Sequence, residues 1–148
     1  MIETVDSQFK EIVSSMPGGV NLNLCYACGA CTAVCPVSRI AEEFNPRKII
    51  RMVLLGLKDE VLSGHEIWLC YQCHACMTRC PQDVRFTEII KALRRLAVAE
   101  GYATQDFADK VEDVDAFSKI LRKELVKGLY DGDLDEAKAA MIERIKDV

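Results

Sequence analysis

The sequence predicts an all-α protein. Apolar residues recur at helical spacing in several segments of the 148-residue chain. No segment combines the apolar and polar alternation of a half-buried strand with the turn signals that flank strands in a sheet. A repeated cysteine pattern occupies the loops between the predicted helices. The expected architecture is therefore a set of helices joined by cysteine loops, and the small βαβ ferredoxin fold does not fit.

Six helical segments are expected. Pro17-Gly18-Gly19 closes the first, and Asn45 should cap the helix that begins at Pro46. That helix is apolar on most sides, which predicts burial. Thr87 should cap a later helix that Gly101 stops. The segments are Ile2 to Ser15, Ser38 to Phe44, Pro46 to about Leu57, Thr87 to Glu100, Phe107 to Leu125 and Leu134 to Lys146.

All eight cysteines belong to two copies of the pattern C-x2-C-x2-C-x3-C-P. Three thiolates on a tight loop can reach three irons of one cubane, and this pattern is typical of proteins with two iron–sulfur clusters. We therefore predict two [4Fe–4S] clusters as cofactors, with no catalytic residue of the chain's own. The copies are Cys25, Cys28, Cys31, Cys35 with Pro36, and Cys70, Cys73, Cys76, Cys80 with Pro81.

The fourth ligand of each cluster should come from the other copy. In two-cluster ferredoxins with this pattern, the fourth cysteine of each run binds the other cluster. Such an exchange would tie the two halves together and bring the clusters close enough for electron transfer. One cluster would take Cys25, Cys28, Cys31 and Cys80, and the other would take Cys70, Cys73, Cys76 and Cys35.

Two other uses of eight cysteines fit less well. A disulfide framework suits a small secreted domain, but the sequence MIETVDSQFKEIV has neither the basic flank nor the apolar stretch of a signal peptide. Structural zinc sites usually arrange their ligands as two separated pairs, and three cysteines within seven residues are crowded for one tetrahedral ion.

Charge and composition restrict the partners and the compartment. The formal charge of −4 falls further when each cluster with its four thiolates adds about −2, so nucleic acid is an unfavourable partner. The longest uninterrupted apolar patch, residues 52–57, is far shorter than the roughly 20 residues of a membrane span. A soluble protein of the cytoplasm is expected, because reduced thiolates and oxygen-sensitive clusters need a reducing interior. Basic residues lie near the cysteines, among them Arg47, Arg94 and Arg95. They are expected either to lie on ordinary solvated helix faces or to form part of a docking surface.

The two cysteine copies lie within a longer internal repeat. The segment Leu24 to Cys31 aligns with Leu69 to Cys76 at an offset of 45 residues, with leucine, tyrosine and alanine matching as well as the ligands. Gly29 and its counterpart His74 differ, which makes the two cluster environments unequal. His74 either donates a hydrogen bond near one cluster or points to solvent.

Three segments around the motifs extend the pattern: VNLNLCYACGACTAVCP at 20–36, Asn45-Pro46-Arg47 before an apolar helix, and Trp68-Leu69-Cys70-Tyr71-Gln72-Cys73. Together they resemble the C-type iron–sulfur subunit of heterodisulfide reductase. The resemblance covers roughly residues 9–100. The cysteine runs alone also occur in iron–sulfur subunits similar to those of succinate dehydrogenase, glycerol-3-phosphate dehydrogenase and glycolate oxidase. The short chain, with two cubane motifs in helical surroundings, favours the heterodisulfide reductase subunit among these families.

This resemblance implies a helical ferredoxin-like subunit that relays electrons without an active site of its own. In the family, electrons pass from an A-type flavin and iron–sulfur subunit, where electron bifurcation occurs, to a B-type subunit whose clusters reduce a disulfide. The chain agrees, since it has no adjacent cysteine pair, no G-x-G-x-x-G and no C-x4-C-x2-C run. Two alternatives remain: an independent ferredoxin-like carrier, and a subunit that links a dehydrogenase to a membrane quinone partner.

The expected organisation has three parts. Residues 1–20 should form an N-terminal helix, residues 21–101 the two-cluster helical ferredoxin domain, and residues 102–148 a helical extension. The apolar stripe of the extension predicts either packing within its own domain or an arm that docks onto a partner subunit.

Overall fold

The computed structural model describes residues 5–145, apart from the side chain of Arg144. Within those residues the regular structure is entirely helical, which confirms the predicted all-α class. No helix in this range has the length and apolar character that a membrane span requires. The helices are α1 Phe9–Ser15, α2 Ala30–Ala33, α3 Pro46–Leu54, α4 Lys58–Ser63, α5 Ala75–Arg79, α6 Phe86–Ala99, α7 Gln105–Asp131 and α8 Leu134–Ile145, with short 3-10 turns at Leu22–Leu24, Val37–Arg39 and His65–Trp68.

The chain forms two compact units, one ending at Thr104 and the other beginning at Gln105. In the first unit α1 packs against α3 and α6, and α4 packs against α3 and α6. The two cysteine loops lead into α2 and α5, and these two short helices pack against each other. The core is apolar and almost free of solvent; its largest fully buried side chains include Phe9, Leu22, Phe44, Ile50, Leu62, Ile67, Ile90 and Leu93.

The start of α1 differs from the prediction. The predicted helix began at Ile2, whereas α1 begins at Phe9; residues 1–4 lie outside the described range. The side chain of Asp6 accepts a hydrogen bond from the backbone N–H of Gln8 at 2.9 Å, and the backbone N–H of Asp6 donates to the carbonyl of Gly56 at 2.8 Å. These two bonds hold residues 6–8 in a turn that a helix cannot include.

The predicted helix from Ser38 to Phe44 is wrong. Only the 3-10 turn Val37–Arg39 forms there, and the hydroxyl of Ser38 donates to the carbonyl of Phe44 at 2.8 Å. Serine hydroxyls compete with helical hydrogen bonding in this way. The segment therefore closes on itself before α3 begins.

The α3 region is correct at its start and wrong at its end. Asn45 caps the helix, since its Oδ1 accepts from the backbone N–H of Lys48 at 3.1 Å. The helix stops at Leu54 because Gly56 takes a left-handed conformation, with φ of +78°, and the unpredicted α4 follows. Burial is confined to one face, and Leu55 is 53% exposed.

The second unit consists of α7 and α8, which pack against each other. Gly132, with φ of +85°, ends the long helix. An added Cβ on Gly128 would lie 2.7 Å from the Cβ of Ala137, so glycine is what permits this close approach. Helices were predicted in both places, and the turn predicted at residues 130–133 begins only after Asp131. The predicted end at Lys146 lies outside the described residues.

Candidate iron–sulfur site

The sequence repeat is also a repeat of backbone conformation. Ala27 and Gln72 have φ of +58° and +50°, and Gly29 and His74 have φ of +84° and +61°. Each pair is separated by the same 45 residues as the cysteines. Residues other than glycine rarely adopt positive φ, so three such residues in matched loops mark a constrained backbone. Each loop turns twice in this way before entering α2 or α5.

The first cavity, which we call the Cys28 cavity, has about 410 Å³ of empty space including its opening to solvent. Arg47, Ile50 and Phe86 form part of its wall, and Cys76 borders it. Four of its lining residues are the cysteines predicted to hold one cluster, namely Cys25, Cys28, Cys31 and Cys80.

The second cavity, which we call the Cys73 cavity, has about 280 Å³ of empty space. Phe44, Pro46, Phe86 and Thr87 supply much of its remaining wall. The structure thus brings Cys80 to the first cysteine loop and Cys35 to the second. The cysteines that line this cavity are Cys35, Cys70, Cys73 and Cys76.

The second cysteine is the exposed one in both copies of the motif. Cys28 and Cys73 are exposed, whereas Cys35, Cys70 and Cys76 are buried. The Cys73 cavity therefore has one exposed cysteine among buried ones, whereas Cys25, Cys31 and Cys80 of the Cys28 cavity are half-buried.

The donor set fits iron–sulfur clusters. All eight cysteines are free, and thiolates are the ligands that these clusters take. The sulfurs line the walls of the cavities; among residues 5–145 no three His, Cys, Asp or Glu side chains converge on the position of one metal ion. Backbone N–H groups also reach the sulfurs: that of Val84 donates to Sγ of Cys80 at 3.4 Å.

Burial works against free thiolates in this site. It raises the pKa of the Cys70 thiol to about 11, although a backbone hydrogen bond at Gln72 and the charge of Arg94 act in the opposite direction. Burial also raises the pKa of Cys31 and Cys76. Bound iron removes this penalty, because a coordinating thiol is deprotonated by the charge of the metal. The buried cysteines are thus suited to ligation and poorly suited to free thiolate chemistry.

Arg94 is a site residue whose role was not apparent from the sequence. Its guanidinium donates from Nε to the carbonyl of Ile67 at 2.9 Å and from Nη2 to the carbonyls of Trp68 at 2.8 Å and Cys70 at 2.9 Å. It also lies 5.5 Å from the centre of the Trp68 ring. The side chain is buried, so neither a solvated helix face nor a docking surface describes it. Its position on the apolar stripe of α6, one residue after the fully buried Leu93, was the available signal.

Thr87 is the second residue whose predicted role is wrong. It was predicted to cap a helix, but α6 begins one residue earlier, after Arg85 in a left-handed conformation. Thr87 is buried, and its Oγ1 lies 3.3 Å from Sγ of Cys76. Its hydroxyl is therefore a hydrogen-bonding partner of a cysteine sulfur.

His74 and the aromatic residues beside the loops have more ordinary surroundings. His74 is exposed, and its Nδ1 lies 3.1 Å from Sδ of Met77. This contact favours the solvent-facing alternative for His74. Tyr26 is 59% exposed, so it borders the Cys28 cavity from the solvent side.

Known proteins with similar sequences place the chain in the class of iron–sulfur proteins. Residues 21–84 match the model of the 4Fe-4S dicluster domain, and the helical fold with its paired cysteine loops is that of an iron–sulfur protein. Over 81 residues the chain is 48% identical to the C 2 iron–sulfur subunit of the CoB–CoM heterodisulfide reductase of Methanocaldococcus jannaschii, covering 55% of this chain and 42% of the relative. It is 36% identical over 104 residues to a protein of Archaeoglobus profundus that is named as similar to the C-type heterodisulfide reductase subunit, covering 70% and 54%.

A third relative, the C-type subunit of the H(2):CoB-CoM heterodisulfide,ferredoxin reductase of Methanothermobacter thermautotrophicus, is 37% identical over 98 residues, covering 66% of this chain and 52% of the relative. The predicted resemblance is confirmed: the chain is a relative of the C-type iron–sulfur subunits of heterodisulfide reductase. It spans about half the length of the curated relatives it matches.

Proposed function

We propose that the chain is the electron-transfer iron–sulfur subunit of a heterodisulfide reductase-like complex. It would relay electrons between an A-type flavin and iron–sulfur subunit and a B-type disulfide-reducing subunit, with no active site of its own. The chain would hold two [4Fe–4S] clusters and would work in the cytoplasm. One cluster is held by Cys25, Cys28, Cys31 and Cys80, and the other by Cys35, Cys70, Cys73 and Cys76.

One observation carries this proposal: two neighbouring cavities are each lined by three cysteines of one motif and the fourth cysteine of the other. Cys76 borders both cavities, which supports electron exchange between two clusters over a short distance. The crossed arrangement has a folding consequence as well. Loading either cavity would fasten Cys35 or Cys80 to the opposite half of the unit, so cluster binding and folding are coupled.

Each cluster, when bound, supplies a one-electron couple, and the chain supplies its surroundings. Buried apolar residues such as Ile50 and Phe86 keep water from the inner walls of the cavities. Cys28 and Cys73 are exposed, so each cluster would have one ligand at the protein surface. An electron can then enter from one partner at one exposed cysteine and leave toward another partner at the second.

Anaerobic purification with iron and sulfide analysis tests the cofactor. We expect eight irons and eight sulfides per loaded chain, with the EPR signals of two reduced clusters that interact. Four irons or bound zinc would contradict two cubanes. Dithionite-reduced chain alone should leave a heterodisulfide intact, since the relay has no catalytic centre.

Purification of the tagged chain from its own organism tests the complex. Flavin-containing A-type and disulfide-reducing B-type subunits in the same fraction support the proposal. A free monomer would favour the independent carrier, and a cytochrome-like membrane subunit would favour the link to a quinone. Adding partner subunits to the reduced chain should restore heterodisulfide reduction.

A further inference from the structure

We propose that helix α6 makes the cluster of the Cys73 cavity the one of higher reduction potential, through the hydroxyl of Thr87 and the guanidinium of Arg94. The inference rests on the proposed function, because it requires one cluster in each cavity. It assigns Thr87 and Arg94 as positioning residues that decide where an electron resides on the chain.

Thr87 supplies a hydrogen bond to a ligand sulfur. Its Oγ1 lies 3.3 Å from Sγ of Cys76, and the side chain is 1% exposed. A sulfur that binds iron carries no proton, so the hydroxyl must be the donor once the cluster is bound. A hydrogen bond to sulfur stabilises the reduced cluster, which has one more negative charge, and so raises its potential.

Arg94 supplies a fixed positive charge beside Cys70, another proposed ligand of the same cluster. Its guanidinium is held by three backbone carbonyls, including that of the ligand Cys70, and only 8% of the side chain is exposed. Because arginine stays protonated at any working pH, the charge is permanent. Water screens a buried charge poorly, so its attraction for the added electron is strong.

The Cys28 cavity has weaker counterparts of both groups. Thr32 lies next to Cys31, and its hydrogen bond opposes the rise that burial causes in the pKa of that thiol. Its hydroxyl is shared, however, because it also donates to Oδ1 of Asn45 at 3.0 Å and accepts from the backbone N–H of Arg47 at 3.2 Å. The cation at this cavity is Arg47, whose side chain is exposed and screened by solvent. A backbone N–H donor, from Val84 to Cys80, remains. The two cavities differ most in the groups that α6 provides.

A redox titration of the loaded chain under anaerobic conditions, followed by EPR, tests the inference. Cys28→Ser and Cys73→Ser each change one ligand and so identify which signal belongs to which cavity. In the unaltered chain, the signal sensitive to Cys73→Ser should appear at the higher potential. Thr87→Val should lower that potential alone, and Thr87→Ser, which keeps the hydroxyl, should restore it.

Arg94→Gln should lower the same potential further. We expect about a tenfold fall in the ratio of reduced to oxidised cluster at fixed potential, which is 59 mV for a one-electron couple. Arg94→Lys should recover much of the loss. Arg95→Gln is the matched control, since Arg95 is the next residue of α6 and is exposed.

The outcomes separate the inference from the function on which it rests. Unchanged potentials in Thr87→Val with eight irons retained would overturn the inference and leave the relay intact. A shift only in the signal sensitive to Cys28→Ser would also overturn it. Fewer than eight irons in the unaltered chain would instead contradict the proposed function. If Arg94→Gln does not load its clusters, Thr87→Val and Thr87→Ser decide the question.

Discussion

The phenol of Tyr102 donates a hydrogen bond to the carboxylate of Asp59, joining the segment after α6 to α4. The bond raises the pKa of Tyr102 to about 12, from an ordinary value of 10.0. It is one of the contacts that fasten the end of the first unit onto its core, beside the ion pair of Lys58 with Glu100.

Tyr102→Phe should destabilise the first unit by about 1 kcal/mol, because it removes a hydrogen bond to a charged but exposed acceptor. The folded-state pKa lies above the unfolded one, so this contribution is fully present below pH 10 and is lost as pH rises toward 12. Thermal melts of the two chains should differ by a few degrees at pH 8 and converge near pH 12. Tyr130→Phe is the control, since Tyr130 is 91% exposed; a constant difference across this pH range would contradict the assignment.

Gly56 should be far less replaceable than Gly101, although both have positive φ, +78° and +81°. A Cβ on Gly56 would overlap the carbonyl oxygen of Asp6, whereas one on Gly101 would meet nothing within 4 Å. Gly101→Ala should cost about 1 kcal/mol, from the left-handed backbone alone. Gly56→Ala should cost roughly 2–4 kcal/mol, since overpacking adds to the same strain. Equal losses of melting temperature in the two variants would show that the Asp6 contact is unimportant.

The crossed ligand sets predict which cysteine variants behave alike. Cys80→Ser should change the EPR signal that Cys28→Ser changes, and Cys35→Ser should change the signal that Cys73→Ser changes. The reason is that Cys80 lines the Cys28 cavity and Cys35 lines the Cys73 cavity. Pairing by sequence copy, with Cys80→Ser matching Cys73→Ser, would mean that each motif holds its own cluster.

The cysteine spacing and the repeat lead to the proposed ligand groups, because loop ligands at fixed offsets allow few arrangements, and the cavities bring the same cysteines together. The sequence did not predict the roles that Thr87 and Arg94 have in the site. Thr87 satisfies the local rule for a helix cap, yet the chain enters α6 one residue earlier through the left-handed Arg85. The hydroxyl is then free for a sulfur 11 residues away.

Long-range backbone contacts account for most of the other errors. Asp6 looks helical in sequence, but its backbone bonds to Gly56, 50 residues later, and the turn delays α1. Arg94 is one of several basic residues near the cysteines; only the folded chain shows that three carbonyls surround it. Local periodicity does not encode partners at such separations, so tertiary context decides these positions.

Gly128→Ala should destabilise the second unit by about 1 kcal/mol. Alanine gains about 1 kcal/mol in helix propensity, but its Cβ would lie 2.7 Å from that of Ala137, and such overpacking costs about 1–3 kcal/mol. Hydrogen exchange along α7 and α8 in the full chain should become faster. The double variant with Ala137→Gly removes the overlap and should recover protection; faster exchange in the double variant than in the single one would contradict this packing account.

Truncation after Thr104 tests the docking arm that the sequence offers as one alternative for the C-terminal extension. The first unit ends there and contains all eight cysteines, so the shortened chain should keep eight irons and unchanged EPR signals. If residues 105–148 dock onto a partner subunit, co-purification of that partner should fall several-fold while the clusters stay intact. A chain that ends after Asp131 retains α7 and serves as the graded control. Loss of clusters on truncation would show instead that the second unit supports the cluster-binding core, and full partner recovery would show that residues 105–148 are not a docking arm.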